Sequence, residues 1–149
     1  MPFGEYVPLD RLLRPLGSFF DIPMSNFAPS KLEPQTLKLG EHRYIPAICY
    51  EVIFPTLLSD LDDDNAGALI VVSNDSWFGP TAGPPQHLAI ARLRALELHK
   101  PLIRATNSGL TAVIDAAGNI ARTLPPDEEG VLEATVELRR GRTPYSRLG

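Results

Sequence analysis

The sequence predicts an α/β fold: layers built on a mixed sheet, with helices on its outer face. Three observations lead there. The order of apolar patterns is strand, helix, strand, helix, then a run of strands. Ala68-Leu69-Ile70-Val71-Val72 is a short, β-branched, uncharged run of the kind that fills a buried strand. His87 to Lys100 carries Leu88, Ala91, Ala95 and Leu98 on one helical stripe, with Arg92, Glu97 and His99 largely off it.

Each element follows from local chemistry. Over residues 1–31, Pro2, Pro8, Pro15, Pro23 and Pro29 forbid a long helix and leave room only for a short one around Leu9–Leu16. Asp21 to Ser25 reads as a loop. Thr36-Leu37-Lys38-Leu39 alternates and is followed by Gly40-Glu41 and then by Tyr44-Ile45-Pro46-Ala47-Ile48, which is a hairpin signal. Pro55–Leu61 reads as a short helix with proline in its first turn, where a missing N–H does no harm. The acidic run Asp60 to Asn65 is expected to end that helix in solvent. Asn74 to Gln86 reads as a loop and His87 to Lys100 as a helix stopped by Pro101. Leu102–Thr106 and Leu110–Ile114 read as strands joined by the turn Asn107-Ser108-Gly109. Ala116 to Asn119 reads as a hairpin turn into Ile120–Leu124, and Val131–Val136 is expected to complete the sheet.

Composition narrows the function. A chain of 149 residues, 44% hydrophobic and 21% charged, is long enough and apolar enough to bury a core. The net charge of −4 gives no support to a nucleic-acid partner, and the basic residues are scattered apart from the Arg139–Arg142 cluster. The histidines His42, His87 and His99 lie far apart, and there is no second cysteine, so no metal site is expected. No apolar run approaches the ~20 residues of a membrane helix, and no basic start precedes an apolar core.

Cys49 is the only cysteine. It stands where the strand 44–48 ends and a new helical stretch begins. A thiol at such a turn is placed to attack a bound carbonyl while nearby N–H groups face the same atom. The plain alternative is a buried structural thiol. His87 offers a second arrangement, pairing with Cys49 as in a papain-like enzyme, and the plain alternative there is an ordinary helix-start histidine.

With these elements in place, the chain resembles the nitrilase (carbon–nitrogen hydrolase) superfamily, in its apolipoprotein N-acyltransferase branch. The residues that carry the resemblance run in order: Pro2-Phe3-Gly4-Glu5-Tyr6-Val7-Pro8, then Ala47-Ile48-Cys49-Tyr50-Glu51, then Ser73-Asn74-Asp75-Ser76-Trp77-Phe78-Gly79. Gln86-His87 with Arg92 to Glu97 follows, then Arg104 to Gly109, then Thr143-Pro144-Tyr145. The resemblance implies part of an αββα sandwich and a Glu-Lys-Cys triad. It implies Cys49 as the nucleophile, Glu5 and Glu51 as acidic residues around it, and the Tyr50 N–H as an oxyanion donor. Trp77 would line the lipid path and Asn74 would shape the site. No cofactor is implied.

The reaction so implied moves an acyl chain from a phospholipid donor, through a cysteine thioester, onto the amine of a diacylglyceryl lipoprotein acceptor. The setting would be the bacterial inner membrane, with the catalytic domain facing the periplasm. The triad's glutamate and lysine correspond to positions before Pro2. The expectation is therefore that residues 1–149 are one partial carbon–nitrogen hydrolase domain, inactive without an amino-terminal half and its membrane helices. Two other readings are a soluble amidase of the same superfamily and a non-enzymatic half-domain. A missing half should also leave Ala68–Ser73 and Leu102–Thr106 with free edges or uncovered apolar faces.

Overall fold

The computed structural model describes residues 35–125 and 128–148. Glu5 and the expected short helix at Leu9–Leu16 lie outside the described residues. The order of elements is β1 (Leu37–Leu39), β2 (His42–Ile48), α1 (Pro55–Leu61), β3 (Ala66–Ser73), α2 (Gly83–Leu98), β4 (Leu102–Thr106), β5 (Ala112–Ile114), β6 (Ile120–Thr123) and α3 (Pro144–Leu148). The strands form a mixed six-stranded sheet in sequence order, β1-β2-β3-β4-β5-β6. β2, β3 and β4 are parallel, and the pairs at both ends are antiparallel.

Register decides what is buried. Ile45, Leu69, Leu102 and Ile114 are opposite one another across four strands. So are Ala47, Val71, Arg104 and Ala112. Both rows are buried, and the apolar members pack with Val52, Leu58, Leu88, Ala91, Ala95 and Leu98 into one core. Burying side chains such as Leu58, Leu69 and Leu98 contributes about 1.5–3 kcal/mol each. The alternate row Ile48, Val72 and Ala105 is exposed. Period-2 alternation thus gives the sheet one covered face and one with open apolar positions.

The hairpin, the proline-led helix α1 and the strands 102–106 and 120–124 form where the sequence places them. Four expectations are corrected. First, α2 begins at Gly83 rather than His87. Pro84 and Pro85 fall in its first turn, where they break no hydrogen bond, and Thr81 Oγ1 accepts the Gly83 N–H at 3.1 Å. Second, the acidic run after α1 does not all end in solvent. Asp62 is buried, and Lys100, also buried, reaches it at 3.2 Å. Lys100 further donates to the carbonyls of Arg139 and Gly141 at 3.1 and 2.7 Å, so the ion pair straps the 139–141 backbone to the end of α1.

Third, Val131–Val136 forms no strand. β3 is already paired on both sides, and Val131 is 87% exposed. It is the residues after this segment that pass the start of β3, where the Arg139 N–H meets the Gly67 carbonyl at 2.9 Å and Leu138 sits against Gly67. Fourth, of the two outcomes expected for Ala68–Ser73 and Leu102–Thr106, only the free edge is corrected: β3 and β4 are central strands, while the face carrying Val72 and Ala105 is open, as the other alternative has it.

The β5–β6 turn is organised by Asp115, whose carboxylate accepts the N–H groups of Ala117 and Asn119 and the Asn119 amide. The Asn119 backbone hydrogen bond is the main reason its carboxyl titrates below the usual aspartate range.

Two outcomes follow from this packing. Asp62→Ala leaves the Lys100 ammonium buried without its counter-charge, and chemical denaturation should show a loss of about 3–5 kcal/mol. Asp115 has a depressed pKa in the folded state, so its stabilisation is present above the usual aspartate value and is lost as pH falls through the lowered one. Thermal melts of Asp115→Ala against the parent should therefore differ at neutral pH and converge in acid. A constant gap across that range would show that the charge of Asp115 is immaterial.

Candidate functional site: the cysteine elbow

The three parallel strands end at one rim. Ile48 closes β2, Ser73 closes β3 and Thr106 closes β4, and their register brings these ends side by side. In open α/β sheets the space beyond the carboxyl ends of parallel strands is where ligands collect. Three connections bracket it here: the turn at 49–53, the loop 74–82 and the loop 107–111.

Cys49 is the first residue of a 3₁₀ turn, Cys49–Ile53, directly after β2. It is half-buried, and its φ of +51° is left-handed. That conformation costs a residue with a Cβ roughly 1–2 kcal/mol, so the surroundings must hold it. Glu51 holds it from one side. Its Oε2 accepts the Ile48 N–H at 2.7 Å, while its own carbonyl accepts the Phe54 N–H at 3.0 Å. Val52 is fully buried and anchors the turn in the core. Tyr50 is half-buried, its ring edge-on to Phe54 at 6.0 Å between centroids.

His87 holds the turn from below. Its Nε2 donates to the Cys49 carbonyl at 3.1 Å. A carbonyl oxygen only accepts, so Nε2 carries the proton in this arrangement. The expected alternative of a papain-like pair is corrected accordingly: the imidazole reaches Cys49 through the backbone. Nδ1 lies 3.0 Å from Asp75 Oδ1 and 3.1 Å from Arg104 Nη2. Arg104 Nη2 donates to Asp75 Oδ2 at 2.6 Å, and the Ser73 hydroxyl donates to Asp75 Oδ1 at 2.6 Å. Asp75, His87 and Arg104 are at most 3% exposed. Gly109 lies so close to the Asp75 carboxylate that a Cβ there would collide with it.

Asn74 is exposed and joins two of the loops. Its Oδ1 accepts the Ser76 N–H at 3.2 Å and the Ser108 hydroxyl at 3.0 Å. The Asn107 N–H meets the Ser73 carbonyl at 2.9 Å beside it. Trp77 stands out from the loop, 78% exposed, while Phe78 turns inward against His87 with ring centroids 5.9 Å apart. The structure thus brings Cys49, Tyr50 and Glu51 together in one turn, with Asn74 and Trp77 on the neighbouring loop. Glu5 lies outside the described residues.

The sequence reading missed the buried charge cluster. A signal was present: Arg104 sits two residues from Leu102, on the same face of a strand whose other inward positions are apolar. An arginine there requires a buried partner.

A cavity of about 450 Å³ lies between the loops after β3 and β4, lined by Asp75, Ser76, Gly79, Thr81, Ser108 and Leu110 among others. A larger one, about 780 Å³, lies between β4–β5 and residues 124–125 and 128–132, and Cys49 lines neither cavity. We place the site at the elbow all the same, because a left-handed thiol residue and a buried charge cluster are chemistry and the larger volume is only space. Among the described residues, no group of three His, Cys, Asp or Glu side chains could hold a metal ion. Nor is any helix there long and apolar enough to cross a membrane.

Comparison with known proteins agrees with this architecture. The carbon–nitrogen hydrolase family model matches residues 2–143. The apolipoprotein N-acyltransferase of Shewanella oneidensis is 50% identical over 150 aligned residues, covering all of this chain and 29% of the relative. That of Vibrio cholerae is 50% identical over 149 residues, covering all of this chain and 30% of the relative. The chain thus spans less than a third of the length of these curated relatives. Among solved structures, a carbon–nitrogen hydrolase from Helicobacter pylori superposes with a TM-score of 0.59 at 18% identity, over 69% of this chain and 43% of that one. A mixed sheet whose parallel strands end at a cysteine elbow and a family match across nearly the whole sequence lead to one conclusion: the chain belongs to the carbon–nitrogen hydrolase family.

Proposed function

We propose that Cys49 is the nucleophile of an acyl transfer, and that this chain is the cysteine-bearing part of an apolipoprotein N-acyltransferase. The left-handed elbow at the end of β2 is the observation that carries the first half of this reading. The second half is supported by relatives of that name at 46–50% identity over nearly the whole chain.

The chemistry proceeds in two exchanges. The Cys49 thiolate attacks the ester carbonyl of a phospholipid. A sulfur–carbon bond forms and the tetrahedral oxyanion collapses, expelling the lysophospholipid alkoxide, which takes up a proton. The lipoprotein's α-amine then attacks the thioester. An amide forms, the amine gives up a proton, and the thiol is regenerated. Both exchanges pass through an oxyanion, and preorganised N–H donors at that atom are a large catalytic term. The Tyr50 N–H, in the opening turn that follows Cys49, is our assignment for one donor.

Glu51 has a positioning role in this reading, because its carboxylate is engaged with the Ile48 N–H. Glu5 is assigned to the site by resemblance. Asn74 fixes the loop that presents Trp77, and an indole standing in solvent at the rim suits the boundary between water and acyl chains. The protein carrying this chain would then work at the bacterial inner membrane, with this domain on the periplasmic side.

The direct test uses the protein that carries this chain, phospholipid vesicles and a diacylglyceryl-cysteine peptide. We expect an acyl adduct on Cys49 that hydroxylamine removes, followed by appearance of the N-acylated peptide. Cys49→Ala should abolish both. Ammonia released from small amides without acyl transfer would favour a hydrolase instead. Glu51→Ala should unfasten the elbow, at a cost of about 0.5–2 kcal/mol in stability, typical of a lost turn cap. It should slow adduct formation at the same time. An adduct rate unchanged by that substitution would remove Glu51 from the site.

A further inference from the structure

We propose that His87 is a positioning residue for Cys49, acting through a hydrogen bond to the backbone and held by the buried pair Asp75 and Arg104. The proposal rests on the reading of Cys49 as nucleophile and adds a residue to it.

The argument starts from cost. The left-handed backbone of Cys49 is unfavourable for a residue with a side chain, and an isolated 3₁₀ turn does not supply the difference. The turn relaxes unless the peptide between Cys49 and Tyr50 is fixed in orientation. That peptide carries two groups on opposite sides. Its carbonyl points into the protein, to His87 Nε2 at 3.1 Å. Its N–H, that of Tyr50, points the other way because a trans peptide is planar. Fixing the carbonyl therefore aims the N–H. A donor to this one oxygen orients both the thiol-bearing residue and the N–H assigned to the oxyanion.

The imidazole is itself fixed. Asp75 and Arg104 face Nδ1, Phe78 lies edge-on to the ring, and His87 is buried in the first half of α2. Asp75 belongs to the loop after β3 and Arg104 to β4, and Gly109 closes over the carboxylate. The elbow is thus referred to the other two parallel strands and to α2 through one ring. An arginine and an aspartate buried at the core's edge are costly to desolvate, and their mutual pairing only offsets that cost. Several hydrophobic residues would serve packing as well. What they would not do is place a proton donor under the carbonyl.

The test uses the protein that carries this chain, with cysteine labelled at its carbonyl carbon; the ¹³C signal that Cys49→Ala removes reports the Cys49 carbonyl. The reaction followed is acylation of Cys49 by a p-nitrophenyl ester: the sulfur–acyl bond forms, p-nitrophenolate leaves, and the thiol proton goes to buffer.

His87→Leu should move the carbonyl signal and slow acylation by about 10–100-fold, the scale on which misplacement of a reacting group is felt. His87→Gln, whose amide nitrogen can stand where Nε2 stood, should return the signal and bring the rate to within about threefold of the parent. Rescue by glutamine is not expected from packing alone, since the rest of the ring is lost in both variants. Equal slowing in both, with the Leu-like carbonyl signal, overturns the proposal.

A mutation-free reading protects against a variant that does not fold: ¹⁵N spectra of the parent imidazole should show Nε2 protonated. An unprotonated Nε2 at the pH of reaction overturns the hydrogen bond itself. A parent thiol that never takes the acyl group overturns the nucleophile reading and this one together. A reactive thiol indifferent to His87 overturns this one alone.

Discussion

The left-handed backbone at Cys49 is the constraint around which the rim of the sheet is organised. A non-glycine residue in that region holds its place only when neighbours determine it from several sides. Glu51 ties the turn to the last residue of β2, Val52 sinks it into the core, and His87 takes the carbonyl from below. Each tie comes from a different part of the chain. The elbow is therefore a product of the parallel register of β2, β3 and β4, since only that register sets the three strand ends beside one another.

The buried charges serve this register rather than the bulk of the core. Arg104 occupies a position in β4 aligned with Ala47 and Val71, where an aliphatic side chain would pack at less cost. Its guanidinium instead joins Asp75, and Asp75 joins Ser73 and His87. Removing Asp75 takes the shared carboxylate from Ser73, His87 and Arg104 at once, so the cluster behaves as a unit. Lys100 does comparable work at the opposite end of the strands, where it gathers Asp62 and the carbonyls of Arg139 and Gly141. The sheet is thus pinned by polar contacts at both ends and by aliphatic packing between them.

This division would suit the acyl transfer proposed above. The proposed nucleophile sits on a turn whose geometry the interior fixes, while the neighbouring loop offers Trp77 to solvent. On that proposal, a rigid reacting group beside an exposed apolar side chain would let the substrate's tail vary without moving the carbonyl that is attacked. Asn74 and Ser108, bonded across the two loops, keep the rim from opening.

Much of the fold was legible in the sequence, because local rules decide it. The hairpin at residues 37–48 follows from alternation and a glycine turn, α1 from a proline in a first turn, and the stripe Leu88, Ala91, Ala95 and Leu98 from helical period. The elbow was legible as an address, a lone thiol where a strand gives way to a helical turn. What the sequence misjudged was settled by pairing and burial. Val131–Val136 has strand composition but no free ladder beside β3, and Asp62 stands in an acidic run yet is buried because Lys100, thirty-eight positions on, comes to meet it. The Asp75–His87–Arg104 cluster joins residues from a loop, a helix and a strand, and no spacing along the chain announces that meeting. Hydrophobic period and turn chemistry act over a few residues and can be read in order. The partner of a buried charge is chosen by the register of strands, which only the folded chain possesses.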